Sequence, residues 1–128
     1  MREPHVMQQR RRALVVEDDG AVRELLVELL ELREFEVHAV ESAEEALARL
    51  EEGIRPDVIV LDRRMPGMSG DDLLQRLKSD PVWARIPVAM VTGVPHRAGE
   101  PGMEPDAYLE KPFEVDMLDE ALTQLGAS

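Results

Sequence analysis

The chain has 128 residues, a formal net charge of -12 and no cysteine. That length suits one compact domain, able to bury roughly two thirds of its unfolded surface without staples. The composition excludes disulfides, thiolate metal sites and cysteine nucleophiles. The charge opposes nucleic acid and anionic membrane and suits cationic partners, and no apolar run is long enough to span a bilayer.

Met1 to Arg12 is polar, and no apolar signal segment follows Arg10, Arg11 and Arg12, so this stretch reads as a frayed lead-in. Leu14-Val15-Val16 is a short apolar run that stops at acids, as a buried strand does. Asp19 is placed to cap a helix over Ala21 to Leu32, with Val22, Leu25, Leu26, Leu29 and Leu30 at helical spacing. Phe35 to Val40 alternates as a second strand. Ser42 and Glu45 form a capping-box pattern for a helix with Ala43, Ala46, Leu47 and Leu50 inward, which Gly53 ends.

Val58-Ile59-Val60-Leu61 is a continuous apolar run of the kind found in central parallel strands, with Asp62 at its carboxyl end. Pro66, Gly67 and Gly70 mark a tight loop before a helix through Leu73, Leu74 and Leu77. Pro81 breaks that helix, and Trp83 reads as a packing residue over the loop. Val88 to Val91 is a fourth strand ending at Thr92-Gly93. Pro95, Gly99, Pro101, Gly102 and Pro105 argue against a regular helix in the next stretch. Tyr108-Leu109 gives a fifth strand, Lys111-Pro112 follows, and Phe113 to Leu125 carries Val115, Leu118, Leu122 and Leu125 on one apolar side. Strand and helix alternate, which predicts an α/β fold: a mostly parallel, doubly wound sheet with helices on both faces. Ligands in such folds sit beyond the carboxyl ends of the strands.

Glu17 and Asp18, Asp62, Thr92 and Lys111 each follow a separate strand at that same edge. Each has a plainer account alone. The acids near Asp19 could be solvated or capping groups, Asp62 a turn residue, Thr92 a strand-end hydroxyl and Lys111 a surface charge. Their joint placement favours a site. Three converging acids repel unless neutralised, and hard oxygen donors select magnesium, with manganese or calcium as substitutes. A carboxylate beside such a metal is a competent nucleophile toward phosphorus. Lys111 then offers a cation, and Thr92 a hydroxyl, to the phosphate oxygens.

Val15-Val16-Glu17-Asp18-Asp19, Leu61-Asp62 with Met65-Pro66-Gly67-Met68-Ser69-Gly70, Thr92-Gly93 and Tyr108-Leu109-Glu110-Lys111-Pro112-Phe113 together resemble the receiver domain of two-component response regulators. The likeness runs from about Arg12 to Leu125 and divides the chain into a flexible lead-in, 1–12, and a receiver domain, 13–126. It implies a flavodoxin-like sheet of five parallel strands with five helices in the usual member, the fourth being irregular or shortened here. It implies that Asp62 is the phosphoacceptor, taking a phosphoryl group from a phosphohistidine. Asp18 would ligate Mg2+ directly, Glu17 would act through water or by orienting the site, and the Arg64 carbonyl would add a ligand. Thr92 would be the switch hydroxyl, Tyr108 the switch aromatic and Lys111 the phosphate-binding lysine, its bond to Pro112 being cis.

The implied partners are a histidine kinase or histidine phosphotransfer protein and a downstream effector protein or domain, in the cytoplasm, with no membrane and no direct nucleic acid. Enzymatic activity would be limited to autocatalytic phosphotransfer and slow self-dephosphorylation. The chain departs from the usual pattern over Val94 to Pro105, where the family has part of its output surface. Arg64 is a long cation two residues after the acceptor, and its side chain could screen the phosphoryl group or guide attacking water. Only Gly126, Ala127 and Ser128 follow Leu125, which fits a stand-alone receiver or one domain of a longer regulator or hybrid kinase. Two other functions stay open: a diverged receiver that binds partners independently of phosphorylation, and a metal-dependent phosphohydrolase. His5, His38 and His96 are isolated and suggest no metal cluster.

Overall fold

The computed structural model describes residues 10–93 and 104–126. The expectations for the lead-in up to residue 9, with His5, and for the irregular stretch over 94–103, with His96 and the shortened helix, lie outside the described residues. Five strands and four α-helices stand among the described residues. They are β1 (Arg12–Val16), α1 (Gly20–Leu32), β2 (Glu36–Val40), α2 (Ala43–Glu51), β3 (Val58–Asp62), α3 (Gly70–Lys78), β4 (Val88–Thr92), β5 (Ala107–Glu110) and α4 (Val115–Gln124). The sheet order is β2-β1-β3-β4-β5, and all four pairings are parallel.

The uninterrupted apolar runs follow from this architecture. Successive residues of a strand face opposite sides of the sheet, and both sides are covered. Leu14, Val16, Ile59, Leu61 and Met90 face α2 and α3, where they meet Leu47, Leu50, Leu73 and Leu77. Val15, Val58, Val60 and Val91 face the other way onto Leu26 and Leu30 of α1 and Leu118 and Leu122 of α4. Trp83 lies in a short 3-10 turn, Trp83–Arg85, and packs half-buried on the α2/α3 side.

Caps set the helix starts. The Asp19 carboxylate accepts from the N–H groups of Ala21 and Val22 at 2.9 and 3.1 Å. Ser42 Oγ accepts from Glu45 N at 3.1 Å. The Glu45 carboxylate, however, accepts from Glu41 N at 3.0 Å, one residue earlier than a capping box requires. A complete box stands at α3, between Ser69 and Asp72.

Other boundaries also differ from the sequence pattern. β1 takes in Arg12, because its backbone pairs beside Glu36 and its N–H donates to Asp57 Oδ2 at 2.7 Å. α4 starts at Val115 rather than Phe113. Val115, a turn before Leu118 meets the sheet, stays 46% exposed, and Leu25, at the rim of the α1 stripe, is 43% exposed.

The loop from β3 into α3 is anchored at several points. Gly70 N–H donates to the Arg63 carbonyl at 2.8 Å, and Met68 N–H donates to the Glu44 carboxylate of α2 at 3.0 Å. A Cβ on Gly70 would lie 2.2 Å from the Asp62 carbonyl oxygen and 2.8 Å from Arg63 Cα. Both neighbours are backbone, so neither can swing aside. Gly70→Ala is therefore expected to destabilise the fold by about 1–3 kcal/mol, as overpacking does. Urea denaturation checks this as a lowered midpoint at unchanged slope.

Candidate functional site

Because every strand runs the same way, their carboxyl ends share one rim. Glu17 and Asp18 leave β1, Asp62 closes β3, Thr92 closes β4, and Lys111 follows β5. Asp62 stands beside Val91 and Thr92 beside Glu110. The Lys111 N–H donates to the Thr92 carbonyl at 2.7 Å, which carries the β4–β5 pairing one residue beyond the ladder and brings the lysine to the rim. The Lys111–Pro112 bond is cis.

The rim gathers the acids. Glu17, Asp18 and Asp62 each offer a carboxylate oxygen within 4.8 Å of the others. Glu17 and Asp62 are buried, at 1% and 4% exposure, as is Thr92; Asp18 is exposed. Lys111 Nζ donates to Asp62 Oδ1 at 3.0 Å and stands 3.6 Å from Glu17 Oε1. Glu17 Oε2 accepts from Asp19 N at 3.1 Å. Glu17 Oε1 is buried with no hydrogen-bond partner.

Burial pushes the Glu17 carboxyl above its ordinary value of 4.5; the Asp62 charge adds to this, while the Asp19 N–H and Lys111 oppose it. Burial likewise raises Asp62 above 3.8, against the hydrogen bond and charge of Lys111. For Lys111, burial alone would lower the value, but the bond and charge of Asp62, then the charge of Glu17, raise it above 10.5. One ammonium thus does not fully offset the buried acids. Three hard oxygen donors, one of them buried and unsatisfied, suit a divalent cation of the magnesium type.

Of the residues expected at the site, Glu17, Asp18, Asp62 and Lys111 come together, with Thr92 buried at the same rim. Tyr108 lies half-buried in β5 against the α2/α3 side of the core. Arg64 sits in the loop after β3 with an exposed side chain. His38 bonds the Glu36 carboxylate within β2 at 2.9 Å, away from the acids. Two arginines not singled out from the sequence also border the rim. Arg23, in the second turn of α1, donates to the Glu17 carbonyl at 2.9 Å and holds the backbone of the acidic turn. Arg63 lies over the Tyr108 ring, 5.9 Å from its centroid. Only the position of Arg63 directly after Asp62 could have flagged it.

The sequence model of the response regulator receiver domain matches residues 13–123, and the chain belongs to that family, the receiver domains of two-component response regulators. It is 37% identical over 107 residues to the phosphate regulon transcriptional regulatory protein PhoB of Rhizobium meliloti, an alignment covering 81% of this chain and 47% of that protein. It is 34% identical over 107 residues to the DNA-binding response regulator MtrA of Mycolicibacterium paratuberculosis, covering 81% of this chain and 46% of the relative. The chain thus spans about half the length of these curated relatives. Among solved structures, a CheY-like receiver domain from Methylobacillus flagellatus superposes with a TM-score of 0.79 at 30% identity, covering 91% of this chain and 99% of that one. The chemotaxis protein CheY4 of Vibrio cholerae gives 0.83 at 24% identity, covering 91% and 99% of the respective chains, a likeness of fold. Among the described residues, no helix is long and apolar enough to cross a membrane.

Two expectations follow from the crowded carboxylates. A cation that binds the fold and not the unfolded chain raises stability by about 2.7 kcal/mol at a hundredfold excess over its dissociation constant. Magnesium is expected to raise the thermal midpoint of the wild type, and Asp18→Ala to lose most of that rise. The second concerns pH without metal. Above the ordinary carboxyl values the unfolded chain has released protons that folded Glu17 and Asp62 still hold. Their contribution to stability therefore falls as pH climbs through the window between ordinary and raised values, and returns on acidification. Asp62→Asn, freed of one buried charge, should melt higher than wild type in chelator near pH 7 and show a flatter fall in stability as pH rises above the ordinary carboxyl range.

Proposed function

We propose that Asp62 is the phosphoacceptor of this receiver domain, taking a phosphoryl group from a phosphohistidine on a histidine kinase or histidine phosphotransfer protein. The observation that carries this reading is the Lys111 ammonium 3.0 Å from Asp62 Oδ1, in a pocket where Glu17 and Asp18 stand close by. Lys111 opposes the effect of burial on the Asp62 carboxyl and orients it before the donor arrives. An Asp62 oxygen attacks phosphorus in line, a P–O bond forms as the P–N bond to the donor histidine breaks, and the freed imidazole nitrogen takes a proton from water. Lys111 is then positioned to hold an oxygen of the incoming group.

Glu17, Asp18, Asp62 and the Arg64 carbonyl are the groups that would hold Mg2+, with Mn2+ as a substitute. When bound, the cation supplies positive charge to the transferring oxygens. The Thr92 hydroxyl, at the end of β4, serves as the switch donor to the modified side chain, and Tyr108 as the aromatic whose placement follows it. Water later cleaves the acyl phosphate, so turnover is slow and confined to the domain's own modification.

Residues 13–126 form the receiver unit, preceded by a lead-in over 1–12 whose last residue, Arg12, already belongs to β1. The modified state is read by an effector protein or domain in the cytoplasm. The formal charge of -12 argues against this domain as the part that touches DNA, although relatives are named as DNA-binding or transcriptional regulators.

Incubation with a small acyl phosphate and magnesium, followed by intact-mass measurement, tests the assignment. Wild type should gain one phosphoryl group and Asp62→Asn none. Lys111→Ala should slow uptake by roughly 10- to 100-fold, since a charged hydrogen bond is worth about 1.5–3 kcal/mol. Full uptake by Asp62→Asn would remove the acceptor from this position.

A further inference from the structure

Arg63 follows the acceptor directly, yet its side chain leaves the acidic group and turns to β5. Its guanidinium carbon lies 5.9 Å from the centroid of the Tyr108 ring, over the ring. Its Nε donates to Asp71 Oδ1, in the first turn of α3, through a long bond of 3.3 Å. The Arg63 side chain is only 16% exposed, whereas that of Asp71 is 58% exposed. The main chain of Arg63 is fixed on both sides: its N–H donates to the Val91 carbonyl at 2.9 Å and its carbonyl accepts from Gly70 at 2.8 Å. The backbone is held, so the side chain is the part free to rearrange.

We propose that Arg63 is a positioning residue for signal output, holding the Tyr108 ring in its resting placement while Asp71 steadies the guanidinium from α3. This deepens the function proposed above and rests on it, in that Asp62 accepts the phosphoryl group and Tyr108 responds. A cation over an aromatic face is attracted by the ring quadrupole, and arginine also stacks flat on it. The anchoring carboxylate is largely in solvent, so its hold is weak. An acyl phosphate on the adjacent residue carries nearly two negative charges where the carboxylate carried one, with three terminal acceptor oxygens that reach further from the backbone. Guanidinium binds such a group more strongly than it binds a ring or a solvated carboxylate. Modification of Asp62 therefore competes for Arg63 and loosens its grip on Tyr108. The same residue that rests against the ring senses the charge next door.

The chain contains a single tyrosine, so ring-13C tyrosine gives one NMR spin system that reports Tyr108 alone. Beryllium fluoride with magnesium serves as an equilibrium mimic of the phosphoryl group. The wild-type ring signal should move on saturation. In Arg63→Gln, the free-state signal should already lie part-way along that path. Half-saturation should then need about 5-fold more beryllium fluoride, because the variant loses the guanidinium's stronger contact with the mimic along with its weaker hold on the ring. Arg63→Lys, which keeps a cation near the ring, should stay closer to wild type. Asp71→Asn should shift the signal the same way by less, and it carries the comparison if Arg63→Gln does not fold. An Arg63→Gln ring signal identical to wild type, or unchanged affinity for the mimic, overturns the role of Arg63. A wild-type signal that ignores beryllium fluoride, together with no mass gain from the acyl phosphate, instead removes the acceptor assignment on which it stands.

Discussion

The structure turns on a conflict between burial and charge at one rim of the sheet. Glu17 and Asp62 are carboxylates placed where water scarcely reaches, and burial raises the proton affinity of both, with the Asp62 charge adding to that of Glu17 and the Asp18 charge to that of Asp62. Lys111 meets both but cannot satisfy every oxygen, leaving Glu17 Oε1 without a hydrogen bond. An arrangement of this kind is poorly suited to stability alone, because a buried acid lacking a full set of partners costs free energy. It is well suited to receiving positive charge and then a phosphoryl group. The stability deficit and the chemistry have one origin.

Everything that builds this rim is remote from it in chemical character. Strands apolar on both faces must be sandwiched between helices, and that requirement forces the parallel, doubly wound arrangement. Parallel strands then deliver their carboxyl ends to a common edge. Leu61 and Val91 pack in opposite directions, yet the residues that follow them, Asp62 and Thr92, close neighbouring strands.

Much of this was legible in the sequence because it is carried by local patterns. The runs at Val58–Leu61 and Val88–Val91, the acids after Val16 and the caps at Asp19 and Ser42 are short-range signals that survive in the fold. What was not legible depends on tertiary distance. Leu25 fits the helical period but falls at the edge of the buried stripe. Glu45 fits a capping box but bonds Glu41 instead. Arg23 and Arg63 carry no motif, and their value appears only once α1 is folded back on the acidic turn and β5 is laid beside β4. The site itself was readable by position; the arginines that frame it were not.

The loop between β3 and α3 is tied to α2 through Glu44 and Met68 and to its own start through Gly70 and Arg63. These bonds are made within the fold itself, with no ion or donor as a party to them. Little chain entropy is then left to lose on association, and more of the contact energy appears as affinity. A small, acidic domain thereby keeps a braced floor beneath the Asp62 carboxylate.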